Sequence, residues 1–348
     1  MDEERGGRRQ DRAPTIRDVA RSADVSKSLV SLVLRGDPGV SPERRSAVHQ
    51  AMNELGYEPN RVARALAGNG TGAVGILIND IRNPWYVDLL DGLSTAFEPA
   101  GVAPLLVDSA SNQRVGRSSV QILSRQRVDG IVALGTSDEV VDLAALRGRT
   151  PVVLAGTYDP EELGADVVAN DDVAGARLAT EHLITLGHRR ILCLRGPQRV
   201  GALREEGYRR AMVEAGLGAE VEVVDAGMTE ESGYAATLRV LRMRTAPTAL
   251  IAYNDLLALG ALAAAADLGL SVPGDVSLVG YDDTYLAGIR RVSLTTIQNG
   301  SFQIGRKAAE FLLERIDGYA GPGRLHEVPT VLEVRQTTGP APARPAAD

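Results

Sequence analysis

A chain of 348 residues with 44% hydrophobic content is long enough for two or three packed domains and too apolar to be disordered. Aromatics at 4% disfavour an aromatic-rich β-sandwich, and the single cysteine, Cys193, excludes a disulfide framework and a cysteine-based zinc site. The net charge of −7 is uneven: residues 1–68 carry 12 Lys and Arg against 10 Asp and Glu, a net +2, so a mildly basic front precedes a body of −9.

Residues 1–13 are polar and charged and read as a disordered tail, with no apolar core of a secretory signal. Thr15-Ile16-Arg17-Asp18 resembles a capping box and opens a short helix with Ile16, Val19, Ala20 and Ala23 at helical spacing. After Asp24-Val25, Ser26 is placed to cap a second helix, Lys27–Leu34, whose Leu29, Val30 and Val33 face inward while Lys27, Ser28 and Ser31 face elsewhere. Two short helices joined this tightly, the second with a polar N-terminal face, match the helix-turn-helix plan for reading DNA. A third helix starts at Ser41-Pro42-Glu43, with proline at its first position, and stops before Gly56.

Beyond Gly72 the pattern changes. Strand-length apolar runs occur at Ala73–Ile78, Ala103–Val107, Gly130–Leu134, Val152–Ala155, Val167–Ala169, Ile191–Leu194, Val221–Val224, Ala249–Ala252 and Val276–Gly280. Amphipathic helices such as Val87–Ala100, Ala174–Leu186 and Leu256–Leu268 alternate with them, which predicts βαβ units and parallel sheets. So many strands exceed one ordinary sheet, so two doubly wound lobes are expected. No run approaches ~18 apolar residues, so no membrane span is expected and the chain reads as cytoplasmic.

Thr15 to Ala67 resembles the headpiece and hinge of the LacI (lactose-repressor) family. The matching pieces include Thr15–Ala20, Val25-Ser26, Val30-Ser31, Val40-Ser41-Pro42-Glu43, Leu55-Gly56-Tyr57-Glu58-Pro59-Asn60 and Ala63-Arg64-Ala65-Leu66. The likeness continues in Val128-Asp129-Gly130, Leu186-Gly187-His188-Arg189, Val272-Pro273-Gly274-Asp275-Val276 and Gly280-Tyr281-Asp282-Asp283. It implies an all-α helix-turn-helix headpiece with a hinge helix, then an α/β two-lobed, periplasmic-binding-protein-like body of doubly wound parallel sheets. The implied boundaries are headpiece 14–59, hinge 60–68 and body 72–338, with a disordered tail over 339–348. Within the body, the N-lobe takes about 72–171 and 299–328 and the C-lobe about 172–298 and 329–338, the chain crossing near Asp171, Gln298 and Pro329.

The resemblance also implies roles. Lys27 and Ser28 would read base edges in the major groove, for which both have the donors. Thr15, Ser26, Ser31 and Asn60 suit phosphate contacts, which set register, and Arg64 lies in the hinge beside them. Leu66 matches a leucine that wedges into the minor groove at the centre of the site. Asn60–Ala67 is too short for a helix stable alone, isolated helices under ~12 residues being marginal, so the hinge would fold on DNA. Leu29 and Leu32 depart from the family's usual polar residues, which points to an operator unlike the commonest one.

In the body, Arg204, Asn254 and Asp282 would converge on a ligand from the second lobe, with Trp85 and Tyr86 as the first lobe's wall. Met228 stands where relatives are often aromatic and weighs against a flat purine; Ser301 would make a thin wall. Asp255 and Asp283 read as helix caps. The expected function is therefore a sequence-specific transcriptional repressor. It would act as a homodimer on a near-palindromic double-stranded operator, controlled by a carbohydrate or nucleoside effector, without cofactor or metal. The alternative is a soluble sugar-binding receptor, which leaves residues 15–67 unexplained. Enzyme signals are poor. Gly70-Thr71-Gly72-Ala73-Val74-Gly75 fits G-x-G-x-x-G but precedes a strand rather than following one, and the four histidines form no ligand pair.

Overall fold

The computed structural model describes residues 14–34, 37, 39–57, 70–135, 142–144, 146, 148–158 and 164–342, and the chain divides after Gly72 into two compact units. The hinge residues Asn60, Arg64 and Leu66 lie outside the described residues.

The first unit is three helices, α1 (Ile16–Ser22), α2 (Lys27–Leu34) and α3 (Pro42–Leu55). Their ends are set by local chemistry. The Asp18 carboxylate accepts from Thr15 N at 2.9 Å and from Thr15 Oγ1 at 2.6 Å. Ser26 Oγ accepts from Leu29 N at 3.1 Å, and Gly56, at φ 60°, ends α3 in a left-handed cap. Val19, Ala20, Val30, Val33, Val40, Val48 and Ala51 form the buried centre.

The second unit opens with β1 (Ala73–Ile78), α4 (Tyr86–Phe97), β2 (Ala103–Asp108), α5 (Ser109–Arg114), α6 (Ser119–Arg125), β3 (Gly130–Leu134), β4 (Val152–Ala155) and β5 (Asp166–Asn170). It continues through α7 (Asp172–Thr185), β6 (Ile191–Arg195), α8 (Gln198–Glu214), β7 (Glu222–Asp225), α9 (Glu230–Leu241), β8 (Ala249–Ala252), α10 (Asp255–Asp267) and β9 (Ser277–Val279). It closes with β10 (Thr296–Gln298), α11 (Ser301–Ile316), β11 (Leu325–Val328) and β12 (Val331–Glu333).

Two parallel sheets result, as the alternation predicts. The first lobe orders its strands β11-β5-β4-β3-β1-β2, and the second β7-β6-β8-β9, with β10 and β12 as an antiparallel pair beside it. In β1, Ile76 and Ile78 face α4 and α11, while Leu77 packs with Leu123, Ile131 and Leu154 on the opposite face. Gly92 and Gly305 let α4 and α11 pack backbone to backbone, because a Cβ at either would run into a carbonyl of the other helix. The chain passes between lobes after β5, β10 and β11.

Two sequence expectations need correction. Residues Gly339 to Pro342 are not a loose tail: Gly339 N donates to Ser277 Oγ at 3.1 Å and Ala341 N to Leu186 O at 2.9 Å. The buried His188 secures the same segment, its ring nitrogens 2.9 Å from Thr248 Oγ1, 3.0 Å from Ser277 Oγ and 3.1 Å from Gly339 O. A Pro- and Ala-rich segment lacks apolar bulk but still carries backbone groups that a neighbouring lobe can pair. Strands β10, β11 and β12 were absent from the apolar runs, since they are short and β11 is exposed at three of its four residues.

Candidate functional site

In the first unit, Lys27 and Ser28 are exposed at the start of α2, where a helix entering a groove presents its side chains. Ser26 uses its oxygen as acceptor for the helix cap and keeps its proton for another group. Thr15 differs: as folded, its hydroxyl proton goes to Asp18 rather than outward to a phosphate. Ser31 is half-buried, and Leu29 and Leu32 lean on the core, so part of each leucine is occupied in packing.

In the body, the carboxyl ends of the strands of both lobes meet across a cleft, the usual place for ligands in open α/β sheets. The loop after β1 supplies Asn83 and Trp85, α4 opens with Tyr86, β5 ends in Asn170, α8 carries Arg204, and the segments after β7, β8 and β9 supply Met228, Asn254 and Asp282. The space between them is about 40 Å³, enough for a few waters only, so a ligand of any size requires the lobes to part. Tyr86 Oη accepts from Asn79 N at 3.1 Å, which fixes the ring. Trp85 packs against Gly135 and Gly156, is 8% exposed, and its Nε1 has no partner among the described residues. A buried indole N–H without an acceptor carries a penalty that a ligand oxygen would remove.

Arg204 is more deeply engaged than a ligand arginine waiting for its ligand. Its Nε donates to Asp172 Oδ1 at 2.8 Å, its Nη1 donates to Tyr253 O, and its Nη2 stands 3.7 Å from Asp282 Oδ1. The guanidinium lies 3.5 Å from the Tyr281 ring centroid and 4.7 Å from that of Tyr253. Burial opposes its charge, but Asp172, Tyr281 and Asp282 outweigh burial and hold it protonated. Burial drives the Asp282 carboxyl well above the usual carboxylate range, with Arg204 acting the other way.

Asp282 sits at φ 110°, a backbone region favouring glycine, and is held there by Asn299 Nδ2, which donates to its Oδ1 at 3.0 Å. Ser301 Oγ in turn donates to Asn299 Oδ1 at 2.6 Å. Ser301 is therefore a buried brace, not a thin wall. On the other side Asn170 Nδ2 donates to Asp172 Oδ1 and Tyr281 Oη, both at 3.0 Å. Arg204 and Asp282 thus connect the crossover after β5 to the crossover after β10. Asn254 lines the cleft, but its Oδ1 caps α10 at Leu257 N and its Nδ2 donates to Met228 O, leaving little of it for a ligand. Asp255 is not the cap of α10. It is buried, pushed up to about 6 by that burial, and accepts from Thr284 N, Thr284 Oγ1 and Thr296 Oγ1. Asp283 instead accepts from Arg335 Nη2 at 2.6 Å.

Asp172, Asn170, Tyr253, Tyr281 and Asn299 were not singled out from sequence. The one signal available was position, since Asn170, Asp172, Tyr253 and Tyr281 follow or end strands that the apolar runs already mark; Asn299 follows β10, which they do not.

Comparison with known proteins follows the same division. Residues 15–60 match the profile described as bacterial regulatory proteins, lacI family, and residues 180–338 match a periplasmic binding protein-like domain. The HTH-type transcriptional repressor PurR of Vibrio campbellii is 33% identical over 328 residues, covering 93% of this chain and 98% of that protein. The lac repressor dimer bound to operator and the anti-inducer ONPF superposes with TM-score 0.76 at 29% identity, over 94% of this chain and all of that one. The transcriptional regulator CelR in complex with cellobiose gives TM-score 0.67 at 31% identity, over 93% and 99% of the two chains.

Proposed function

The chain belongs to the LacI family of bacterial regulatory proteins, DNA-binding transcription regulators rather than enzymes, and from that premise we propose that it is a repressor whose operator affinity is set by a small polar effector in the inter-lobe cleft. Two copies act together on a near-palindromic site in the cytoplasm, with Lys27 and Ser28 reading bases, Ser26 and Ser31 holding phosphates and Leu66 wedging the centre. Among the described residues no helix is long and apolar enough to cross a membrane.

The observation that carries the effector reading is the chain of contacts through Arg204 and Asp282. A ligand that accepts from the Trp85 indole on the first lobe and bonds Asp282 on the second closes a bridge between lobes at the two crossovers. Such a ligand favours one closure state and shifts DNA binding by its differential affinity for the two states, typically ~1–3 kcal/mol. A sugar-like effector suits this site: the Asp282 carboxyl can both accept from and donate to ring hydroxyls, and the flexible Met228 thioether gives no flat stacking face. Solved relatives hold cellobiose in one case and ribose in another.

The test is operator affinity with and without effector, using an operator selected from genomic fragments, for the native protein and for Asp282→Asn. The substitution keeps shape and tolerates the backbone angle, so DNA binding persists while the response to effector is lost. A full response from Asp282→Asn at unchanged effector concentration refutes the assignment.

A further inference from the structure

The cleft continues past Asp282. Beyond Met228 it opens into a second chamber of about 370 Å³, lined by Asn79, Asp80, Arg82, Asn83, Met228 and Glu231 among others. Asn83, Tyr86 and Met228 border both chambers, and Asn79 Nδ2 of the first lobe approaches Met228 Sδ of the second at 3.9 Å. The inner chamber thus has the buried recognition groups and little room, whereas the outer one has the volume of a small-ligand pocket. The outer chamber also has polar groups to offer. Asn83 uses its Oδ1 on Trp85 N, leaving its Nδ2 without a partner among the described residues, and Asn79 Oδ1 is in the same position.

Charge narrows the class of occupant. In the outer chamber Arg82 is already held by Asp80, its Nε 3.0 and 3.1 Å from the two carboxylate oxygens. Glu230 and Glu231 line the same space with no ion pair to either among the described residues, and the α9 backbone and Thr229, with a lesser pull from Arg82, hold Glu231 below the usual carboxylate range. In the inner chamber the one arginine faces both Asp172 and Asp282. A phosphate or carboxylate on the ligand would meet acidic side chains in both chambers, with no unpaired cation among the described residues to receive it.

We propose that the outer chamber is a second effector subsite, so that the effector is a non-anionic disaccharide, one ring held by Arg204, Asp282 and Trp85 and the other between Asn79, Asn83, Met228 and Glu231. This rests on the cleft reading above. It adds that a single ring leaves the outer donors and acceptors unused. Two further hydrogen bonds of ordinary net strength correspond to roughly tenfold or more in affinity.

The experiment is calorimetric titration of the full-length protein with cellobiose, maltose, trehalose, sucrose and chitobiose, each beside its component monosaccharides, with trehalose 6-phosphate and hypoxanthine as contrasts. At least one disaccharide binds roughly tenfold or more tightly than its own monosaccharides. Trehalose 6-phosphate and hypoxanthine do not bind. Glu231→Ala and Asn79→Ala remove the disaccharide's advantage and leave the weaker monosaccharide binding unchanged, while Asp282→Asn weakens both. A monosaccharide or hypoxanthine binding as tightly as the best disaccharide, binding of trehalose 6-phosphate, or no binding across the panel overturns the proposal. Binding lost in Asp282→Asn but untouched by both outer substitutions overturns the second subsite alone. Disaccharide binding indifferent to Asp282→Asn overturns the cleft reading itself.

Discussion

Replacing Arg204 by alanine tests whether this arginine holds the body together as well as its ligand. The side chain is 11% exposed and its partner Asp172 only 2%, so the pair sits in low dielectric. Truncation leaves the Asp172 carboxylate with hydrogen bonds from Asn170 and, at 3.5 Å, Tyr158 Oη but with no cation among the described residues, removes the donor to Tyr253 O, and empties the space between two tyrosine rings. Breaking a buried pair from one side costs about 3–5 kcal/mol, and a desolvated cation–π contact up to about 2 more. Because Asn170 still serves Asp172, the lower part of that range applies, about 3–4 kcal/mol. For a unit of this size each kcal/mol moves the melting temperature by roughly 2–4 °C, so the body of Arg204→Ala melts about 6–16 °C lower. Differential scanning calorimetry reads this directly. Adding Asp172→Asn to it removes the stranded charge and restores about half of the loss. A single variant melting within about 2 °C of the native protein would show that the site relaxes around the missing guanidinium, and the argument from burial would fail. For the same reason a lost effector response in Arg204→Ala mixes stability with contact, whereas Asp282→Asn separates them.

Other consequences can be checked independently. Ser26→Ala removes the α2 cap, costing the headpiece about 1 kcal/mol and weakening all operators alike, whereas Lys27→Gln changes the preferred half-site; selection from random duplexes with each variant distinguishes them. Leu66→Ala weakens specific binding and abolishes the central DNA bend, so an unchanged bend in a gel-shift phasing assay disproves the wedge. Burial lowers the pKa of His188, as it does for His182, so their contribution to stability is full above pH 6.5 and falls as the unfolded chain takes up protons below it. Chemical denaturation between pH 7.5 and 5 shows that decline, and His188→Gln flattens it. Asp166 accepts from both Arg315 and Arg324; burial alone would raise its pKa, but their hydrogen bonds lower it to about 2, so Asp166→Asn destabilises the body by about 3 kcal/mol in denaturant melts at pH 7.

The parts of this protein legible in its residues are those with local causes. Ser26, Pro42 and Gly56 mark helix ends because a cap is satisfied within a few residues of itself, and the apolar runs mark strands because both faces of a parallel sheet are covered. Asp282 could be placed at a strand end on the same grounds. Its neighbours could not. Asn299 reaches Asp282 from 17 positions away, Asp172 reaches Arg204 from 32, and Tyr281 meets Asn170 from 111. Ser301 reads as a wall until folding gives it Asn299 as a partner, and Asn254, which does line the cleft, is also engaged with Leu257 N and Met228 O. The Gly339–Pro342 segment appeared free until His188 and Ser277 were brought beneath it. In each case the side chain's chemistry is written in the sequence, but which donor meets which acceptor depends on two lobes threaded three times by one chain. Only their packing removes the water that would otherwise satisfy those groups separately.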